Sequence, residues 1–155
     1  MSEPSPAEFR SLVEGIFGDI PFVREIGLKL HDFDLDNQTL SAAFDLKPQL
    51  IGNHFQEILH GGVIATALDT VGGLTAMVAA YHRMGGAIDW EEKIQRLIRL
   101  GTVDMRVDYL KPGRGERFVC EGKILRVGNK LVVSRMELHN DKQELIATGT
   151  ATFLY

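Results

Sequence analysis

The chain has 155 residues, 45% of them hydrophobic and 25% charged, with 16 Gly and 5 Pro, the balance of a single globular domain large enough to bury its own core. That composition excludes disordered, collagen-like and repeat architectures, and one cysteine, Cys120, excludes an internal disulfide framework. The net charge of −4 argues against nucleic-acid binding, although residues 93–135 hold 11 Lys/Arg against 4 Asp/Glu. That basic stretch is read either as a set of solvated strand faces or as a surface for a small polyanion such as a nucleotide.

The opening MSEPSPAEFR is acidic and polar without an apolar run, so no signal peptide is expected, and a free thiol in an apolar strand suits the cytoplasm. Residues 6–20 place Phe9, Leu12, Val13, Ile16 and Phe17 on one helical face behind the start signals Ser5 and Pro6. From Phe22 to Leu46 the pattern predicts strands: Ile26, Leu28 and Leu30 alternate, Asp36-Asn37 marks a turn, and Leu40, Ala42 and Phe44 alternate again. Residues 48–60 are predicted as a loop containing Gly52, Asn53 and His54.

His60 to His82 (HGGVIATALDTVGGLTAMVAAYH) carries Asp69 as the single acidic or basic residue between its end histidines. Its length would allow a membrane span, but a mid-segment carboxylate and the Gly/Ala/Thr content oppose insertion, so we expect no span and a helix enclosed by the protein. Residues 89–100 predict a short amphipathic helix capped by Asp89 and ended by Gly101. Four strands follow at 102–110, 117–127, 131–139 and 144–154, separated by Gly113/Gly115, Gly128-Asn129 and Asn140-Asp141, a pattern that predicts an antiparallel meander. The sum is one α+β domain, a curved sheet rolled around one long helix.

Two features carry chemistry. Asp69, a carboxylate in an apolar helix, needs partners and suits a general base or nucleophile; the bland alternative is a carboxylate bonded to a neighbouring strand or subunit. His60-Gly61-Gly62 opens that helix, where free N–H groups and the helix dipole suit an oxyanion hole. Gly61 and Asp69 lie eight residues apart, about 12 Å along a helix axis, too far to serve one carbonyl from the same chain. A site on a two-fold axis, with Gly61 from one subunit and Asp69 from the other, resolves this. His31, His82 and His139 have no metal-ligand spacing, and His54, His60 and Asp69 lack that of known zinc motifs, so no metal is expected.

Gly52-Asn53, Leu59-His60-Gly61-Gly62-Val63, Leu68-Asp69 and Gly72-Gly73 together resemble the acyl-CoA thioesterases of the hotdog superfamily, nearest to the phenylacetate-degradation (PaaI-like) branch. Residues 102–113 (TVDMRVDYLKPG) resemble that family's second signature, and Gly-Thr-Ala-Thr-Phe at 149–153 its last strand. The resemblance covers roughly 22–155. It implies a hotdog domain over 21–155 behind a helical extension over 1–20, working as a homodimer or dimer of dimers without a cofactor. It further implies hydrolysis of acyl-CoA, with medium- or long-chain or aryl acyl groups. By the same resemblance Asp69 is the catalytic acid, Gly61 the N–H that polarises the carbonyl, Asn53 a loop amide at the thioester or water, Thr102 a water-positioning hydroxyl, and His60 a supporting histidine. Gly62 is placed at the substrate, and Lys111, Arg114 and Lys130 at CoA's phosphates. A departure is the insert around 84–100, a candidate cover for the acyl group. Two rivals stand: a hotdog dehydratase, with His54-Phe55 but Gln56 where a proline belongs, and a non-catalytic acyl-CoA binder.

Overall fold

Ser5 starts the first helix, α1 (Pro6–Asp19), of the computed structural model, which describes residues 3–155. Its hydroxyl accepts from the Glu8 N–H while the Glu8 carboxylate accepts from the Ser5 N–H, satisfying two donors that a helix start leaves free. Phe9, Val13 and Phe17 of this helix are buried in the same core as the sheet. Met1 and Ser2, the first residues of the expected extension, lie outside the described residues.

Residues 21–26 form a helix, α2 (Pro21–Ile26), where a strand was expected. Pro21 at its first turn presets the helical φ, and Gly27, at φ 80°, ends it in the left-handed conformation. Ile26 therefore closes a helix, and the strand β1 (Lys29–Asp34) begins only beyond Gly27. The hairpin from β1 to β2 (Thr39–Asp45) forms as expected, its turn held by Asp34, whose carboxylate accepts from the Asn37 N–H at 3.0 Å and Nδ2 at 2.7 Å. The expected loop at 48–60 contains a small ribbon, β3 (Ile51–Asn53) paired with β4 (Ile58–Leu59).

Four longer strands complete the molecule: β5 (Gly101–Tyr109), β6 (Arg117–Val127), β7 (Leu131–Asn140) and β8 (Leu145–Leu154). The six-stranded antiparallel sheet runs β1-β2-β6-β7-β8-β5. Only β6, β7 and β8 form the expected meander. β5 pairs with β8, Thr102 opposite Phe153 and Tyr109 opposite Ala147, and so becomes an edge strand. The physical reason is its connection to β6. Residues 110–116, with Pro112, Gly113 and Gly115, are too many for a tight hairpin, and they pack on the β3–β4 ribbon instead.

The long helix α3 (Gly61–Met84) lies on the inner face of this sheet. Gly72 lets it sit there: a Cβ at that position would come within 2.7 Å of Sδ of the fully buried Met136 on β7. The helix is long and apolar enough to cross a membrane, but most of its apolar stretch is buried and it serves as the core helix. One stripe stays half-covered, formed by Thr66, Asp69, Thr70, Gly73 and Met77.

The insert folds as α4 (Trp90–Leu97), with the Asp89 carboxylate accepting from the Glu92 N–H at 2.9 Å. Its Lys93 is 1% exposed, bonded to the Glu3 carboxylate and set over the Tyr81 ring. The Tyr81 hydroxyl also donates to Glu3, at 3.0 Å, and its ring stacks on Phe9. These contacts tie the N-terminal segment, α3 and α4 together. Burial and the Glu3 carboxylate push the Tyr81 phenol up to about 12.

Candidate active site

The first part of the site is built at the start of α3. His60, in extended conformation, caps the helix: its Nδ1 accepts from the Gly62 N–H at 2.8 Å. A ring that accepts at Nδ1 carries its proton, when neutral, at Nε2. The cap commits the Gly62 N–H. The Gly61 N–H has no acceptor among the described residues and keeps the positive potential of the helix end. Behind it, the Tyr109 hydroxyl donates to the Gly61 carbonyl at 3.2 Å.

The loop before the helix passes close by. A Cβ on Gly52 would lie 2.6 Å from Cα of His60, so only glycine allows this approach. Asn53, half-buried at the end of β3, turns the loop: its Oδ1 accepts from the Phe55 N–H at 3.1 Å and the Gln56 N–H at 3.2 Å. Its Nδ2 is unbonded among the described residues.

The second part lies two turns along the same helix. Asp69, half-buried on the open stripe of α3, accepts at Oδ1 a hydrogen bond from the Thr102 hydroxyl on β5, 2.8 Å long. Its other oxygen has no partner among the described residues. A carboxylate held by one hydroxyl and open on its second oxygen is equipped to take a proton from water.

The structure does not bring these two parts together within one chain. Gly61 and Asp69 belong to one continuous helix, so their separation of about 12 Å along the axis stands. Thr102 and Tyr109 mark the two ends of β5, whose outer edge no other strand among the described residues covers. Val103 and Tyr109 are 59% and 55% exposed along it.

The candidate cations are likewise split between the two ends. Lys111 pairs with Glu144 at 3.1 Å, and Arg114 donates to the Gln56 carbonyl and Oε1, both at 3.0 Å, near the start of α3. Lys130, in the β6–β7 turn, lies at the other end of the sheet beside Tyr155, and its side chain is unpaired among the described residues. Much of the basic stretch at 93–135 is neutralised: Lys93, Arg96, Arg106, Lys111 and Arg117 each face a carboxylate. Cys120 is fully buried, and burial pushes its thiol far above the ordinary range, which leaves it inert as a nucleophile.

Residues 56–147 match the profile of the Thioesterase superfamily. The medium/long-chain acyl-CoA thioesterase YigI of Escherichia coli (strain K12) is 47% identical over 135 residues, covering 87% of this chain and 85% of that protein. The chain belongs to the thioesterase superfamily. A thioesterase-superfamily crystal structure from Shewanella oneidensis superposes with a TM-score of 0.90 at 46% identity over 99% of both chains. The E. coli PaaI protein of the phenylacetic acid degradation operon superposes at 0.71 over 90% of this chain and 87% of its own, but at 14% identity, which speaks for the fold alone.

For a member of this superfamily, one residue of the site escaped the sequence reading. Tyr109 lies within the 102–113 signature, yet only the folded chain shows its hydroxyl on Gly61. Its one sequence signal was an aromatic residue near the end of a strand, just before Leu-Lys-Pro-Gly.

Proposed function

We propose that this protein hydrolyses acyl-CoA thioesters in the cytoplasm, at sites shared by two copies of the chain. The observation that carries the reading is the 2.8 Å bond from Thr102 of β5 to Asp69 on the open stripe of α3, with the free Gly61 N–H out of its reach. Asp69 takes a proton from a water molecule whose oxygen bonds to the thioester carbonyl carbon. The Gly61 N–H of the second copy receives the negative charge on the carbonyl oxygen. The intermediate collapses, the carbon–sulfur bond breaks, and the proton passes to the departing CoA sulfur. Asn53 borders the thioester with its unbonded Nδ2, and His60 holds the helix start. The acyl group is medium- or long-chain, as the name of the E. coli relative suggests.

The uncovered edge of β5 supports the shared site. Antiparallel pairing of two such edges centred on Arg106, with the bulge between Thr102 and Asp104 counted as one position, sets Thr102 opposite the partner's Tyr109. Because Thr102 bonds Asp69 and Tyr109 bonds Gly61, that register brings Asp69 to the partner's Gly61. It also gathers Lys130 on the same side as the partner's Lys111 and the partner's Arg114, a set of cations suited to CoA's phosphates.

Subunit mixing tests this. Asp69→Ala and Gly61→Pro, the latter deleting the N–H donor, are each expected to be inactive in a thiol-release assay. A mixed dimer puts both lesions in one site and leaves the other intact, so activity should return towards half per dimer. No recovery in folded, verified mixed dimers would overturn the shared site and the pairing of Gly61 with Asp69.

A further inference from the structure

α4 is seated by a contact that packing alone does not explain. Its Lys93 is buried, and a lysine is almost never buried without a partner. The ammonium bonds to the Glu3 carboxylate and lies 5.1 Å from the centre of the Tyr81 ring on α3. The Tyr81 hydroxyl donates to the same carboxylate. No other carboxylate pairs with Lys93 among the described residues, so one half-exposed side chain, 90 positions away, balances its charge. Apolar side chains would dock the helix without any such condition, and exchanging a buried ion pair for them is often neutral or stabilising. The lysine makes the seat of α4 depend on Glu3.

α4 leads directly to the site. The Ile98 N–H donates to the Ile94 carbonyl at 2.9 Å, that of Arg99 to Arg96 at 3.2 Å and that of Leu100 to Leu97 at 3.2 Å. The bonded backbone therefore runs from α4 to the residue before β5. Thr102, second in that strand, carries the hydroxyl that bonds Asp69. The sheet holds this end of β5 weakly. A register shift between Thr102 and Asp104 leaves Gly101 and Thr102 alone beyond the bulge, on an edge strand. The buried ion pair near one end of α4 and the Thr102–Asp69 bond beyond the other are thus joined by a short, hydrogen-bonded segment.

We propose that Glu3 and Lys93 are positioning residues for catalysis: their ion pair seats α4, and the turn that follows α4 holds the Thr102 hydroxyl on Asp69. This rests on reading Asp69 and Thr102 as the reacting pair of an acyl-CoA thioesterase.

The test compares wild type, Glu3→Gln, Lys93→Met and Glu3→Gln/Lys93→Met, with Glu3→Gln made again in a Thr102→Val background. Thiol release from decanoyl- and palmitoyl-CoA gives kcat and KM, and amide hydrogen exchange over residues 90–103 reads the seat of α4 without substrate. Glu3→Gln leaves a buried charge unbalanced, so exchange should quicken and kcat fall about three- to tenfold at unchanged KM, a loss bounded by that of one hydrogen bond to a carboxylate. Lys93→Met in the same chain removes that charge and should restore both readings. In the Thr102→Val background Glu3→Gln should cost nothing more, because two residues acting through one bond do not add. Unchanged kcat in Glu3→Gln overturns the proposal, whether or not Tm falls. So does a full further loss in the Thr102→Val background, or a double variant no better than Glu3→Gln. A wild type silent on both thioesters, with exchange responding as expected, overturns the thioesterase reading instead and leaves the pair as the seat of α4 only.

Discussion

On the function proposed above, the start of α3 and its middle supply opposite halves of one chemistry by different means. At the start, consecutive residues do the work: Gly52 lets the loop approach, His60 caps Gly62, and Gly61 is left with a free N–H and a positive field. In the middle, a single carboxylate depends on a hydroxyl 33 residues away on another element. The first half offers backbone and partial positive charge, the second a side chain and full negative charge. Cleaving a thioester needs both within about 3 Å of one carbon. A rigid helix that contains both can bring neither to the other, which is why the proposed reading draws the second half from another copy of the chain.

The largest expected effect falls on the middle. Asp69→Asn keeps shape and removes the base, and should lower kcat at least about 100-fold with the dimer and Tm retained. Near-normal turnover by the folded variant would reassign the carboxylate to a structural role. Thr102→Val comes next, losing one hydrogen bond to a carboxylate, a loss of about tenfold in kcat at little change in KM. Equal loss from both variants would mean that Asp69 works only when held by Thr102; no loss from Thr102→Val would leave Asp69 acting alone.

The same contrast marks what was legible beforehand. The helix start was readable because His60-Gly61-Gly62 directly precedes the apolar run, and that run announced a core helix by its length; the His60 cap on Gly62 and the approach of Gly52 to His60 appear only in the folded chain. The place of β5 was not readable, because adjacency in the chain favours pairing with the next strand, whereas a seven-residue connection carried β5 to the far edge. The Tyr109 bond to Gly61 followed from that placement and was hidden with it. The helix at Pro21–Ile26 was masked by the alternation of Ile26, Leu28 and Leu30, which spans a helix end, a turn and a strand start. Buried Lys93 was hidden differently: within α4 it reads as one more residue of a polar face, and only Glu3, 90 positions away, reveals it.

A smaller effect separates capping from chemistry at the helix start. His60→Ala removes the Gly62 acceptor, which should cost about 1 kcal/mol of stability and lower Tm by about 2–4 °C in a domain of this size. Asparagine is a strong cap, so His60→Asn should restore the Tm. If it also restores kcat, the histidine acts only by holding Gly61 in place. If kcat stays low at normal Tm, the ring itself meets the substrate.

The smallest expected effect tests whether the two halves also share the nucleotide end of CoA. The three candidate cations begin in different states. Lys111 is already matched by Glu144, and Arg114 is spent on the Gln56 carbonyl and side chain, so replacing Arg114 also loosens the loop beside Asn53. Lys130 is unpaired among the described residues and exposed, which makes Lys130→Ala the cleanest probe of a phosphate contact. An exposed contact of this kind is worth about 1 kcal/mol or less, so KM for acyl-CoA should rise no more than about fivefold while kcat holds, because ground and transition states share the contact. The rise should shrink as salt screens the charge. It should also vanish with an acyl-pantetheine substrate, which lacks the nucleotide. A KM increase that persists on acyl-pantetheine would place Lys130 away from the phosphates. An unchanged KM on acyl-CoA would confine nucleotide recognition to the Gly61 end, and with it the symmetry between the two halves would stop at the thioester.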